Sequence, residues 1–320
     1  MPLVPTAAAL LTAGLLAAAQ LASARPLLLA ERFQPGLGWL EIAALALYAG
    51  WLARRLAAPR TSGRWRRRLW WTFSAVFFAQ LLLGLAGAER FLMTGELHLP
   101  VPAMILAGPL YRGEGLFMPV LLLSTLLFVG PAWCSHLCYI GAWDAAAADA
   151  QRRPAPLRWR QAPRLITLVL VAGVALALRL ADASGLLATA LGISFGLLGL
   201  AVMLLWSRRR GLMVHCTSLC PIGLVVALAG KLSPFRVRVS AACTDCGACT
   251  AACRYDALRP ADVRARRPAL SCTLCGDCVG ACPHGALGYR FGRLRPESAR
   301  ALFLVLVVAL HASFLGLARI

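Results

Sequence analysis

The sequence predicts an α-helical polytopic membrane protein of about seven spans that carries, towards its C-terminal end, a small α+β module dense in cysteine. Three observations predict it. Of the 320 residues 60% are hydrophobic and only 14% are charged, against about half and about a quarter in soluble domains. Apolar runs of spanning length recur along the chain, with arginine clusters between them. The 12 cysteines fall into two spacing classes: pairs at the ends of apolar runs, and two tandem quartets in a polar stretch.

A helix needs about 20 predominantly apolar residues to cross a bilayer. The runs that approach this, in order, are 7–24, 38–53, 70–88, 116–133, 165–181, 186–206 and 301–317. Ala22-Ser23-Ala24 ends the first run as a small-residue cleavage site would. The residues before that run hold no Lys or Arg, however, so it is read as an uncleaved span. Arginines follow the second run (Arg54, Arg55, Arg60, Arg64, Arg66, Arg67, Arg68), join the fourth to the fifth (Arg152, Arg153, Arg158, Arg160, Arg164) and follow the sixth (Arg208, Arg209, Arg210). Basic short loops alternating with poor ones orient a chain with the basic loops in the cytoplasm. Loop 89–115 carries only Arg90 and Arg112 against Glu89, Glu96 and Glu114, and reads as external. The N-terminus is therefore expected inside, the C-terminus outside, and the cysteine quartets in the cytoplasm. The net charge of +20, from 33 Lys+Arg against 13 Asp+Glu, belongs to this topology rather than to nucleic-acid binding.

Two shorter apolar stretches do not cross. Residues 98–111 are broken by Pro100, Pro102 and Pro109 and read as a re-entrant or surface segment. Residues 222–230 are too short and read as a helix continued along the interface or dipping partly into the membrane. Trp65, Trp70, Trp71, Trp133 and Trp143 read as aromatic belts at the membrane surface. The expected organisation is thus a helical bundle over 1–230, a polar module over 231–300 and a last helix over 301–320. Within the module, 236–240 alternates like a strand, the cysteines follow, and the stretch 286–291 comes after them. The module has few apolar residues for a core of its own, which points to a metal as its organiser.

That module reads CTDCGACTAAC from Cys243 and CTLCGDCVGAC from Cys272, each C-x₂-C-x₂-C-x₃-C. Two such runs match the two-cluster bacterial ferredoxin pattern, in which each fourth cysteine ligates the other cluster. The rule assigns Cys243, Cys246, Cys249 and Cys282 to one [4Fe–4S] cluster, and Cys272, Cys275, Cys278 and Cys253 to the other. Zinc is the competing ligand of paired cysteines, but its sites use one quartet, usually as two separated pairs. Gly247, Ala248, Gly276 and Gly280 are small enough to let backbone amides near the sulfurs. Pro283 follows the second run, whereas Arg254 stands at the matching place in the first. No C-x-x-C-H occurs, so covalent haem is not indicated.

Several spans, two Cys-x₃-Cys elements at cytoplasmic helix ends and a two-cluster ferredoxin module together resemble the membrane polyferredoxins. These include the NapH-type quinol dehydrogenase component of periplasmic nitrate reduction and the membrane core of NosR from nitrous-oxide reduction. The resemblance runs over residues 116–285 and is carried by the cysteines. It implies a bacterial inner-membrane protein that moves electrons between the quinone pool and a partner redox protein or reductase subunit. The chain departs from the pattern at Tyr139, where the family has proline after the first pair. An extra span after the module is also unlike NapH, and no flavin-binding domain precedes the spans as in NosR.

CSHLCYIG from Cys134 and CTSLCPIG from Cys216 share Cys, Leu, Cys, Ile and Gly at matching positions, which suggests an internal repeat. If helical, each pair turns two thiols to one face. Three readings of Cys134, Cys138, Cys216 and Cys220 stand open: a shared metal or cluster, redox-active dithiols or metal-delivery ligands, or inert buried cysteines. His136 and His215 beside them are ligand candidates or interfacial polar residues, and His311 stands alone in the last span. Glu89, Arg90, Glu96 and His98 are candidates to take a quinol's protons, or simply a hydrated loop. The leading functional expectation is a membrane iron–sulfur electron-transfer protein with quinol or quinone as substrate. Two alternatives remain: a copper-reducing assembly factor resembling CcoG-type proteins, with the pairs as copper ligands, and a membrane redox sensor.

Overall fold

The computed structural model of the chain describes residues 2–23, 26–91, 99–159 and 161–317. In chain order the helices begin with α1 (Leu3–Ala22), α2 (Leu29–Phe33), α3 (Leu37–Ala57), α4 (Pro59–Leu85) and α5 (Met104–Arg112). The middle of the chain forms α6 (Phe117–Val129), α7 (Gly141–Ala148), α8 (Ala162–Leu180), α9 (Gly185–Val202), α10 (Arg208–Arg210) and α11 (Pro221–Ala229). Strand β1 (Phe235–Val239), helices α12 (Ala248–Ala252), α13 (Pro260–Arg264) and α14 (Asp277–Ala281), strand β2 (Leu287–Phe291) and helix α15 (Pro296–Leu317) follow. The two strands pair into one small sheet.

Among the described residues 6 helical segments are long and apolar enough to cross a membrane: Leu3–Ala22, Pro59–Leu85, Phe117–Leu137, Ala162–Leu180, Gly185–Arg210 and Pro296–Leu317. They cover six of the seven expected runs. The remaining run forms α3, a helix of 21 residues that carries Glu41, Tyr48 and two tryptophans and ends in Arg54 and Arg55. It has the length of a span with a more polar surface. The proline-broken stretch forms α5 with Pro109 inside it, and the short run after the second cysteine pair forms α11.

The chain divides into two compact units, Met1–His98 with Tyr289–Ile320, and Leu99–Gly288. In the first, α1, α3 and α15 pack on one another. The buried face of α1 is Val4, Ala8, Thr12 and Leu16, one residue per helical turn. Small residues Ala8, Ala49, Ala53, Ala309 and Ala312 are buried, which lets the backbones approach as helices in lipid require. Arg300 is buried in α15 and donates to the carbonyls of Ala57 at 2.6 Å and Leu56 at 2.7 Å. It thereby satisfies acceptors that the C-terminus of α3 leaves open. His311 is held by the Tyr48 hydroxyl at 3.1 Å and packed on the Phe73 ring. Trp70 lies 1% exposed in α4 with Arg66 over its ring, and Trp133 is 8% exposed. Both are interior residues rather than parts of an aromatic belt. Glu89 and Arg90 form a single 3₁₀ turn, while Glu96 and His98 lie outside the described residues, as does Ala24.

The second unit holds the remaining spanning helices together with the cysteine-rich part of the module, up to Gly288; the expected module, 231–300, runs past that boundary. Leu165, Ile166, Val169 and Leu170 on α8 and Leu186 and Leu197 on α9 are exposed, an apolar surface suited to lipid. Ser184 caps α9, its hydroxyl accepting from the N–H of Leu187 at 3.4 Å. The module has more of a core than its composition suggests. Phe235, Val237 and Val239 of β1 are buried, as are Tyr255, Leu258, Val263, Leu274 and Leu287. The alternation expected for 236–240 is the inward–outward period of this strand.

Candidate functional site

The two quartets of the module are built alike. Each opens on a residue with positive φ between its first two cysteines, Asp245 at 54° and Leu274 at 55°, and continues through Gly247 at 76° and Gly276 at 80°. Non-glycine residues rarely adopt such angles, so the backbone is bent here at a cost that the surroundings must offset. The glycines serve the turn: no atom lies within 4 Å of where a Cβ of Gly247 would stand. A short helix follows in each, α12 and α14, and the two pack together. After each fourth cysteine the chain turns back, so that the N–H of Ala257 donates to the Cys253 sulfur and that of Ala286 to the Cys282 sulfur, both at 3.3 Å.

This construction brings the first three cysteines of one run to the fourth of the other. A hollow is lined by Cys243, Cys246, Cys249 and Cys282. Cys278 stands within electrostatic reach of Cys272, Cys275 and Cys253. Burial pushes the thiols of Cys253 and Cys272 up to about 12. Such thiols keep their protons unless a metal takes the protons' place. The two quartets differ in access. Cys246 is exposed, whereas no member of the second quartet is. Among the described residues no three His, Cys, Asp or Glu side chains close on a single metal ion.

Arg254 stands in the first run where the second has proline. Its guanidinium donates to the carbonyl of Gly211 at 2.8 Å and faces Asp149 at 3.7 Å, while its own carbonyl accepts from Met213. Asp256 pairs with Arg259 and accepts from the N–H of Leu157 at 3.3 Å. These contacts fasten the module to the loops after α7 and α10.

The Cys-x₃-Cys pairs lie in π-helical turns, Trp133–Leu137 and His215–Leu219, rather than in the α-helix that the spacing suggests. The N–H of Cys138 reaches the Trp133 carbonyl at 3.0 Å and that of Cys220 the His215 carbonyl at 2.8 Å, five residues back in each case. π-Turns of this kind are frequent at functional sites. The fold brings all four thiols together: Cys216 is within electrostatic reach of Cys138, Cys220 and Cys134. Burial pushes Cys138 up to about 12, and Cys216 and Cys220 upward as well.

Sequence reasoning missed the residues around these thiols. Asp144, fully buried, accepts from the N–H of Cys216 at 2.9 Å. Arg164 was counted with the cytoplasmic arginines, yet it is 2% exposed and donates from Nε to the Cys216 carbonyl at 3.1 Å. The signal for it is position: Arg164 opens an apolar helix rather than ending one. His136 is buried and its Nδ1 lies 2.9 Å from the Ser135 hydroxyl. A Cβ on Gly199 would stand 2.8 Å from the His215 ring, and burial pushes His215 down to about 4, so it is neutral at physiological pH. The turns also touch the module: Ser135 donates to the Thr273 carbonyl at 2.9 Å, and the Tyr255 hydroxyl to that of Cys134 at 3.4 Å.

Paired cysteine quartets beside apolar helices define a ferredoxin-type iron–sulfur protein of the membrane, and comparison with known proteins agrees. Residues 242–286 match the family model of the 4Fe-4S dicluster domain. Residues 111–154 and 189–240, which contain the two Cys-x₃-Cys pairs, match that of a 4Fe-4S binding domain. The chain is 30% identical over 240 residues to the methylamine utilization ferredoxin-type protein MauN of Paracoccus denitrificans (strain Pd 1222), covering 68% of this chain and 78% of that one. It belongs to this family of ferredoxin-type electron-transfer proteins. No solved structure matches it.

Proposed function

We propose that the protein relays electrons between the membrane quinol pool and a partner oxidoreductase through two [4Fe–4S] clusters, as NapH- and NosR-type polyferredoxins do. Cys243, Cys246, Cys249 and Cys282 hold one cluster; Cys272, Cys275, Cys278 and Cys253 hold the other. The observation that carries the reading is the exchange of fourth cysteines, with Cys282 on the hollow of the first run and Cys253 beside Cys272 and Cys278. A four-iron cluster takes one thiolate per iron, so it needs a wider cage than a single ion does.

When bound, the clusters supply one-electron chemistry with little rearrangement of their ligands. The chain's own residues tune and shield them. The Ala257 and Ala286 amides stabilise thiolate charge, and Leu274 and Val263 keep water from the inner faces. The more open first quartet, with Cys246 exposed, suits exchange with a soluble partner. MauN's part in methylamine utilization supports an oxidoreductase as that partner. In the bacterial inner membrane the arginine-rich loops and the module (231–300) face the cytoplasm, the N-terminus lies inside and the C-terminus outside. This orientation takes α3 as the seventh crossing.

Anaerobic mixing of the purified protein with a quinol analogue tests the reading. Bleaching of the cluster absorbance and an EPR signal of reduced [4Fe–4S] are expected within seconds. A fully iron-loaded protein that dithionite reduces and quinol does not would overturn the quinol assignment.

A further inference from the structure

The open quartet, Cys243, Cys246, Cys249 and Cys282, sits in a small, neutral surface with a basic border. The residues exposed beside its cysteines are Ala241, Ala242, Thr244, Gly247, Ala251 and Pro283. Arg238, Arg264 and Arg267 are exposed at the margin, and Arg266 is half-buried there. The fold ties these arginines to the quartet. The Arg266 guanidinium donates to the Ser240 carbonyl at 2.9 Å, and the same carbonyl accepts from the N–H of Cys243 at 3.3 Å. The Arg266 carbonyl accepts from the N–H of Val239, the neighbour of Arg238. Val263 of α13 lines the hollow with the cysteines, so Arg264 borders it. The N–H of Arg267 returns to the Asp262 carbonyl at 3.2 Å, which keeps that residue beside α13.

Membrane topology does not call for these charges. The bias towards basic loops acts within ~15–20 residues of a span end. Arg264 and Arg267 lie farther than that from both Arg210, which ends one span, and Pro296, which begins the next. Internal ion pairs do not use them either. Asp256 pairs with Arg259, and Asp262 accepts from the Arg259 N–H at 2.9 Å, so both carboxylates are taken up at the start of α13. Asp245 stands in the hollow itself. Among the described residues no large apolar side chain from 233 to 288 is exposed. A surface that inserts into lipid, or that holds a permanent subunit, carries such side chains. A transient electron-transfer encounter needs a small contact and complementary charge to steer it.

We propose that this face docks an acidic, soluble electron-carrier protein. Arg238, Arg264 and Arg267 hold the carrier's carboxylates, Arg266 adds its charge at Ser240, and the small residues around Cys246 let the carrier's redox group come close to the quartet. One electron crosses between carrier and quartet, one side being oxidised as the other is reduced; no bond forms or breaks and no proton moves. The inference rests on the electron-relay reading above and names the chemistry of the partner in it.

Binding of two probe proteins to the iron-loaded full chain in detergent tests the face: a plant-type ferredoxin, strongly acidic, and cytochrome c, strongly basic. Ferredoxin is expected to bind, and to weaken about tenfold or more between ~0.01 M and ~0.15 M salt, as the Debye length falls from about 30 Å to about 8 Å. Cytochrome c is expected not to bind. Arg264→Glu/Arg267→Glu, at equal iron content, should weaken ferredoxin about tenfold or more. Arg152→Glu/Arg153→Glu makes the same change of charge on another exposed loop and should shift it less than about twofold. Equal losses in the two variants would mean that net charge alone acts, and would overturn the face, as would affinity indifferent to salt. Ferredoxin binding lost in nanodiscs of phosphatidylglycerol but kept in phosphatidylcholine would assign the arginines to lipid headgroups and overturn it too. Oxidation of the dithionite-reduced chain by ferricyanide should slow in Arg264→Glu/Arg267→Glu, and oxidation by hexaammineruthenium(III) should quicken; both rates unmoved would refute the siting beside Cys246. Ferredoxin docking without quinol reduction sinks only the quinol reading, and quinol reduction without docking sinks only this face.

Discussion

Replacing Ser135 by alanine tests whether the membrane turn and the second quartet move as one piece. Ser135 is fully buried and its hydroxyl donates to the carbonyl of Thr273 at 2.9 Å. A hydroxyl has one proton, so the contact with His136 is then a bond in which the imidazole Nδ1–H donates. Alanine leaves the Thr273 carbonyl without this donor in an interior closed to water. Orphaning a buried acceptor costs about 1–3 kcal/mol, and each 1.4 kcal/mol is about tenfold, so local opening should rise about 5- to 150-fold. The assay is amide hydrogen exchange, followed by mass spectrometry, on peptides spanning Thr273 to Cys275. Ser135→Thr keeps the hydroxyl and should recover much of the protection. Unchanged exchange in Ser135→Ala at equal iron content would refute the reasoning.

Other consequences are equally direct. Gly247→Ala should destabilise the module by about 1–2 kcal/mol from backbone conformation alone, because φ is 76° and no neighbour meets the added carbon; a normal iron-loss midpoint on heating would count against this. Arg300→Met removes both donors to the end of α3. Losing charge-assisted bonds of this kind costs about 1.5–3 kcal/mol, read as a lower thermal midpoint in detergent that Arg300→Lys partly restores. The Glu31 carboxylate accepts from the amides of Gly36 at 2.9 Å and Gly38 at 2.8 Å, which holds it below its ordinary value of 4.5. Its folded value is depressed, so its contribution is present above pH 4.5 and fades as pH falls through the lower folded value. Glu31→Gln should therefore lower stability at neutral pH and match the parent in strong acid; a constant difference across pH would contradict the assignment.

Much of this protein is legible in sequence because the signals are local. Spanning helices follow from runs of apolar residues, and six of seven expected runs form segments apolar enough to cross. The alternation of 236–240 is a strand because side chains on a strand alternate faces. The cysteine quartets declare themselves by spacing, since one cluster face is wrapped by three thiols close in sequence. The repeat of CSHLCYIG and CTSLCPIG is visible as letters and reappears as two matching π-turns.

What the chain alone did not reveal depends on groups far apart in it. Arg164 counted as a solvated loop charge until the fold placed it against Cys216, and Trp70 as a belt residue until the packing of α4 enclosed it. Arg254 was an unexplained departure until it was seen to hold the Gly211 carbonyl. Sequence by itself determined the elements and the chemistry of the ligands, because hydropathy and short-range spacing act within a turn or a strand. Tertiary structure decided which thiols meet, which charges are buried and where the membrane turns touch the module. Burial of a polar group is tolerable only beside partners that the chain brings back from elsewhere, and no local pattern records where those partners will be.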